Sequence, residues 1–344
     1  MNKKIVSLFP LIFGITLSSC ATGVRHNISE YFVDTTPERV IKYHDDFKIL
    51  QLTDLHLGDK ENRELHFKFM DLTINEANPD MIVVTGDLFT FASKGTAIAL
   101  FKYLDSKEKP WTVCYGNHDE QCYFSVDWLT NYLNNYGSYC YYKDIQDDDI
   151  QGNCNFAINI MNAAGTEIFE QVIIMDSNRY YYGSYFGYDY FKQDQIEWYK
   201  NLVAYTKTQP GGATAQSLMF YHIPLPEIND AYENGTLIPD EGKTATDPTN
   251  IDVKREKSCP PDTNSGFFDV LKNPALSNTK AMFFGHDHIN TFRREYQGVI
   301  FNYGIKSTDC IYHDEDLLGG QVITIKNDRS LSFKRIFHTY KEVM

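Results

Sequence analysis

The chain has 344 residues, with 46 acidic side chains against 32 Lys and Arg and a formal net charge of −14. That acidic surplus repels polyphosphates at long range, and no basic stretch with interleaved aromatics interrupts it, so binding to a nucleic-acid duplex is not expected. The length suits one large α/β domain with a sizeable core, and the sequence holds neither a period of internal repeats nor a low-complexity block.

In chain order, Lys3 and Lys4 precede an apolar run from Ile5 to Leu17 that carries no acidic residue. The run is too short to cross a bilayer as a stable helix, so residues 1–19 read as a signal peptide. It ends Leu17-Ser18-Ser19-Cys20, which resembles the bacterial lipobox, where cleavage before the cysteine is followed by its lipidation. That resemblance implies an exported cell-envelope lipoprotein held to the membrane through Cys20; the alternative is ordinary signal cleavage nearby, with Cys20 incidental. Residues 20–46 are polar and aperiodic and read as a tether plus an entry strand. Six cysteines follow Cys20, too many for the sequence to choose a pairing. Cys114 lies in an apolar run and is expected as a free core thiol. Cys140 and Cys154 flank a polar loop containing Asp147, Asp148 and Asp149, and are the first candidates if any pair is bridged. Oligomeric state is not legible.

The folded domain is expected to begin at Phe47. A strand over Ile49–Thr53 runs into Asp54 and His56, and a helix over 62–77 sets Leu65, Phe69, Leu72 and Ala77 on one face. A strand over Met81–Gly86 runs into Asp87; a helix over 96–104 carries Ile98, Phe101 and Leu104; a strand over Trp111–Gly116 runs into Asn117 and His118. This β-α-β-α alternation predicts a largely parallel sheet. Strands over 155–161 and 171–175 follow, joined by a turn at Gly165. The segment 180–191 is dominated by Tyr and Phe and reads either as packing under a loop or as an aromatic wall of a binding cleft. After a helix over 192–206, a strand over Leu218–Tyr221 runs into His222. The polar stretch 226–262 is long enough to be a lid or a disordered insertion. A strand over Ala281–Gly285 then runs into His286 and His288, and runs over 291–296, 299–303, 321–325 and 331–337 read as adjacent antiparallel strands. Two packed mixed β-sheets flanked by helices, an αββα sandwich over 47–337 with a tail at 338–344, is the expected architecture.

Buried strands of α/β proteins carry their sites at their carboxyl ends, so these five ends place Asp54, His56, Asp87, Asn117, His118, His222, His286 and His288 in one crevice. His26, His44, His66 and His338 lack that context and read as structural or solvated. Gly86, Gly116 and Gly285 are expected to let the backbone turn sharply before each polar residue. Taken together, Asp-X-His, Gly-Asp, Gly-Asn-His-Asp, a strand-end His and Gly-His-X-His resemble the calcineurin-like metallophosphoesterase superfamily across almost all of 47–337. The stretches Tyr221 to Glu227, Asn264 to Phe268 and Gly285 to His288 are most similar to its purple-acid-phosphatase-29/Dcr2-like group.

The resemblance implies two metal ions, one held by Asp54, His56, Asp87 and His288, the other by Asp87, Asn117, His222 and His286. A hydroxide bridging the ions would attack phosphorus, with His118 assisting the leaving group and Asp119 orienting its ring. Imidazole and carboxylate donors suit Mn, Fe or Zn. Thr90 stands where purple acid phosphatases carry a tyrosinate ligand, so an iron-tyrosinate colour is not expected. Small phosphate esters are the implied substrates, with monoesters the first expectation and nucleotide, lipid or glycerol phosphodiesters the alternative. A non-enzymatic surface binding protein is the third reading, and no expected ligand is missing to favour it. Tyr182, Tyr185 and His313 are candidate substrate-pocket residues, although Asp314, Glu315 and Asp316 beside His313 also read as a solvated acidic face.

Overall fold

The computed structural model describes residues 26–33, 36–183 and 186–344; the leader, Cys20 and Tyr185 lie outside them. In chain order the strands are β1 (Ile41–Lys42), β2 (Phe47–Leu52), β3 (Met81–Thr85), β4 (Trp111–Cys114), β5 (Phe156–Met161), β6 (Ile168–Ile174), β7 (Tyr180–Tyr182), β8 (Phe186–Tyr188), β9 (Gln216–Phe220), β10 (Thr236–Leu237), β11 (Thr279–Phe284), β12 (Arg293–Tyr296), β13 (Val299–Tyr303), β14 (Gly319–Ile325) and β15 (Leu331–Phe337). The helices are α1 (Arg63–Ala77), α2 (Lys94–Asp105), α3 (Val126–Asn134), α4 (Gln193–Thr208), α5 (Ile228–Asn234) and α6 (Phe267–Leu271), with short 3₁₀ turns between.

One sheet has the strand order β15-β14-β2-β3-β4 and the other β1-β5-β6-β9-β11-β13-β12-β10, while β7 and β8 pair as a separate hairpin. Parallel pairing joins β2, β3 and β4 in the first sheet and β6, β9, β11 and β13 in the second. The carboxyl ends of each parallel set therefore share one edge. The mixed two-sheet α/β sandwich expected from the sequence is the fold.

Period-two alternation decides which layer each side chain joins. Leu218, Phe220, Ala281 and Phe283 belong to the core shared with the smaller sheet. Their neighbours Met219, Tyr221, Met282 and Phe284 belong to a second core, with Ile196, Tyr199 and Leu202 of α4 and Phe267 and Leu271 of α6. On the other flank, α2 buries Ala97, Leu100, Phe101 and Leu104, the helical repeat read from the sequence displaced from Ile98 to its neighbours. In α1 the buried face is His66, Phe69, Met70, Thr73, Ile74 and Ala77; the expected Leu65 and Leu72 sit half-buried at its margins.

The sheets are joined beside the strand ends by polar contacts rather than by apolar packing alone. Gln51 of β2 donates to Thr85 Oγ1 (2.9 Å) and to the Phe284 carbonyl of the opposite sheet (3.2 Å). Arg293 of β12 reaches Asn302 (2.6 Å), Gln321 of β14 (2.6 Å) and Asp240 (3.2 Å). Burying polar groups is costly unless they are partnered, so this network favours one register of one sheet against the other.

Three expectations are corrected. The last four strands are not one antiparallel set: β12 and β13 join the larger sheet, β14 and β15 the smaller, because Gly319–Ile325 pairs with β2. Residues 226–262 are not a structureless insertion; they carry α5 and β10, and Asp252 ties the segment to Arg294 (2.6 Å) and Arg335 (3.3 Å) at the sheet edge. Cys140 and Cys154 are free buried thiols, since Cys140 pairs through its backbone with Trp111 at the edge of one sheet while Cys154 leads into β5 of the other. Among the described residues no helix is long and apolar enough to cross a membrane.

Candidate metal centre

The smaller sheet contributes Asp54, His56, Asp87 and Asn117 from just beyond β2, β3 and β4; the larger contributes His222, His286 and His288 from beyond β9 and β11. All seven side chains are buried. The turns that aim them are made largely by these residues themselves: φ is 54° at Asp54, 46° at His56, 48° at Asp87 and 81° at His286. Such non-glycine conformations cost up to about 1–3 kcal/mol, least for Asp, Asn and His, and persist where the surroundings dictate them. Gly86 shares the left-handed region (φ 79°), but Gly116 and Gly285, expected to supply turns, do not. They supply room instead. A Cβ on Gly116 would lie 2.2 Å from Asp87 Oδ1, and one on Gly285 2.0 Å from Thr53 Oγ1. Gly116→Ala is therefore expected to push Asp87 out of place, costing about 1–3 kcal/mol of stability together with metal affinity. Thermal melts with and without added metal measure both.

Asp54, His56, Asp87 and His288 form one group whose donor atoms all lie within 4.8 Å of one another; Asp87, His222 and His286 form a second. Asp87 belongs to both. His56 Nε2 stands 3.0 Å from His288 Nε2 and 3.5 Å from Asp87 Oδ2. His222 Nε2 lies 3.2 Å from the same Asp87 oxygen, and the neighbouring His118 amide donates to Asp87 Oδ1 (2.8 Å).

The hydrogen bonds around the rings test whether metal ions fit. His288 Nδ1 faces the Tyr312 carbonyl (2.9 Å) and His222 Nδ1 the Thr85 carbonyl (2.8 Å). A carbonyl only accepts, so each Nδ1 carries the proton and the neutral ring presents a lone pair at Nε2, the arrangement of metal-ligating imidazoles. Asn117 donates its amide NH₂ to Tyr180 OH (2.9 Å), leaving Asn117 Oδ1 buried without a hydrogen-bond partner among the described residues, as is His286 Nε2. Orphaned buried atoms cost about 1–3 kcal/mol each unless something satisfies them. Metal cations at these positions would satisfy them.

Electrostatics agree. Burial opposes a charge on His222, yet Asp87 and Asp54 outweigh it and push its pKa up to about 10: the carboxylates favour positive charge at that point, carried either by a second proton on the ring or by a cation that the neutral ring ligates. Burial and His222 push His286 down to about 3, and burial with Lys306 holds His56 well below the usual range, which keeps both in the neutral form that ligates. Asp54 and Asp87 stay ionised: burial works against it, and His288 and His222 at Asp54, and His222 and His56 at Asp87, overcome it.

The sequence model of the calcineurin-like phosphoesterase family matches residues 47–290, a span containing all seven residues. The chain belongs to that family. As a calcineurin-like phosphoesterase it is metal-dependent, and phosphate esters are its substrate class. It is 28 % identical over 291 residues to "probable inactive purple acid phosphatase 29" of Arabidopsis thaliana, covering 75 % of this chain and 71 % of that one. To phosphatase DCR2 of Saccharomyces cerevisiae it is 26 % identical over 289 residues, 76 % of this chain and 47 % of that one. Its fold is similar to that of a dimetal phosphatase from Danio rerio, with a TM-score of 0.50 at 14 % identity over 86 % of this chain and 100 % of the other.

Around the ligand candidates of this phosphoesterase, several placements differ from expectation. Asp119 does not orient the His118 ring. It is fully buried beneath the strand-end turn, accepting from the amides of Gly116 (2.8 Å) and Phe89 (3.0 Å), and burial with Asp87 nearby pushes it up to about 8. The His118 ring is held instead by Gln121, whose Oε1 lies 2.7 Å from Nδ1. Gln121 was missed because its three-residue spacing from His118 acquires meaning only on the 3₁₀ turn Asp119–Gln121. Thr90 holds His56 through Nδ1 (2.8 Å). Lys306, also missed, is buried under the site and donates to the Asp54 carbonyl (2.7 Å); burial, opposed by Asp54, brings its pKa down to about 8.

The aromatic segment divides between its two readings. Tyr180 meets Asn117, and Tyr188 stands edge-on to His286 at 4.3 Å, while Phe191 packs into the core against Tyr221. Tyr182 is 72 % exposed on the hairpin, its ring 6.1 Å from that of Tyr180. His313 contacts the Ile311 carbonyl (2.9 Å) and lines a hollow with Asp309, Leu318 and Tyr340 that none of the seven ligand candidates enters.

Proposed function

We propose that this protein hydrolyses phosphate monoesters at a two-metal centre, with Asp54, His56, Asp87 and His288 around one ion and Asp87, Asn117, His222 and His286 around the other. The observation that carries this reading is the membership of Asp87 in both donor groups, beside buried Asn117 Oδ1 and His286 Nε2 atoms that have no hydrogen-bond partner among the described residues. When bound, such an ion pair supplies Lewis acidity toward phosphate oxygens and a nucleophile drawn from water at neutral pH. The chain's own residues do the rest. Carbonyls fix the His222 and His288 tautomers, Thr90 fixes His56, and Asp87 is steadied by the His118 amide. Gln121 Oε1 accepts from His118 Nδ1–H, so it is the imidazolium form of His118, with its second proton on Nε2, that would hand that proton to the departing oxygen and be left neutral. Imidazole, carboxylate and amide donors suit Mn, Fe or Zn.

The test is a panel of phosphomonoesters and phosphodiesters assayed with each of these metals and after chelation. Monoester turnover that needs metal and exceeds diester turnover is the expected result. Turnover of diesters alone would favour the phosphodiesterase reading, and metal binding without turnover the binding-protein reading.

We also propose that the protein is exported and anchored through Cys20. The support is the leader sequence, with its lysines, apolar run and terminal Leu17-Ser18-Ser19-Cys20. Cys20→Ala is expected to release the protein from the membrane fraction or to block processing. A variant that matures normally and stays bound would rule out lipidation.

A further inference from the structure

A cleft of about 470 Å³ opens beside His56, lined by His56, Thr90, Phe91, Tyr123 and Ile311 among others. Those three apolar side chains are 59 %, 72 % and 44 % exposed, against a background in which most large hydrophobic residues are buried. Tyr312, next to Ile311, is 53 % exposed and stacks on the His288 ring at 4.1 Å. Exposed apolar surface is thus gathered beside two of the ligand candidates, His56 and His288, where it marks a binding surface.

The backbone gives a second, independent sign. Phe91 and Ile311 both adopt left-handed conformations, with φ of 51° and 54°. A bulky residue, and above all a β-branched one, is an outlier there. Glycine would remove the strain at both positions, yet the chain keeps large apolar side chains at both, on the walls of one cleft.

Charge narrows the occupant. The remaining walls carry Asp59, Lys60 and Glu61, and Asp59 is already engaged by Ser93 (2.9 and 2.8 Å) and Thr96 (2.6 Å). One lysine against two carboxylates leaves no positive surplus to receive a second phosphate.

We propose that this cleft takes the alcohol half of the substrate, and that this half is an uncharged, ring-bearing apolar group, neither a sugar phosphate nor a nucleotide. The assignment rests on the phosphomonoesterase reading. Phenyl or naphthyl esters would confound apolar fit with leaving-group reactivity, so the informative pair is n-propyl phosphate and 3-phenylpropyl phosphate, whose alkoxides are equally poor leaving groups. The expected kcat/KM favours 3-phenylpropyl phosphate by at least about tenfold. Phe91→Gly and Ile311→Gly should bring that ratio towards one without lowering the melting midpoint, because glycine suits both backbone positions. A wild-type ratio near one, or a preference that survives in both variants, overturns the assignment. Failure of the metal-loaded protein to hydrolyse either ester overturns the phosphomonoesterase reading itself, and the cleft assignment with it.

Discussion

Replacing Asp87 by alanine is expected to strip the protein of both metal ions, whereas replacing Asn117 by alanine weakens mainly one. Asp87 is the one carboxylate common to the two donor groups, and both His56 Nε2 and His222 Nε2 approach its Oδ2, at 3.5 and 3.2 Å. Two cations a few ångströms apart repel unless an anion lies between them, so losing this carboxylate removes a ligand from each ion and the charge that lets them coexist. Asn117 offers one neutral oxygen. Its loss should cost at least about 10–100-fold in affinity at one ion, the range seen when even an outer partner of a metal ligand is removed. Metal analysis of the purified variants decides between the roles: equal, complete retention in both would remove Asp87 from the shared position.

His118→Ala should keep both ions yet lose turnover by roughly 10²–10⁴-fold on alkyl phosphates, whose departing oxygen needs a proton. The ring is half-buried, 5.0 Å centroid to centroid from His56, and Gln121 at 2.7 Å holds its Nδ1. The deficit should shrink for p-nitrophenyl phosphate, because nitrophenolate leaves readily without protonation. Parallel kinetics on the two esters, with metal content measured on the same preparation, separate the alternatives. A deficit of the same size on both esters, or loss of metal, would show that His118 acts as a phosphate-binding group or a ligand instead of an acid.

Some of this molecule is written locally in the chain. An apolar run five or six residues long, followed at once by Asp, Asn or His, is a strand with a polar end whatever surrounds it, and five such ends in an alternating β-α order can converge only if parallel strands align them. That is why the two-sheet architecture and the meeting of Asp54, His56, Asp87, His222, His286 and His288 were legible from composition and spacing, as were α1, α2 and α4, to within a few residues at their ends; the shorter α3, α5 and α6 were not.

What tertiary structure alone decided involves atoms distant in sequence or directions that spacing does not encode. Whether β14 joins β13 or β2 depends on which sheet edge is open, and so does the separation of Cys140 from Cys154. Gly116 and Gly285 matter for the carboxylates that approach them from other strands, while the sharp turns fall on Asp54, His56, Asp87 and His286, whose strain is sustained by the packed surroundings. The handover of His118 from Asp119 to Gln121 has the same origin: once the amides of Gly116 and Phe89 capture the Asp119 carboxylate in the interior, only the side chain three residues along the 3₁₀ turn remains on the ring's side.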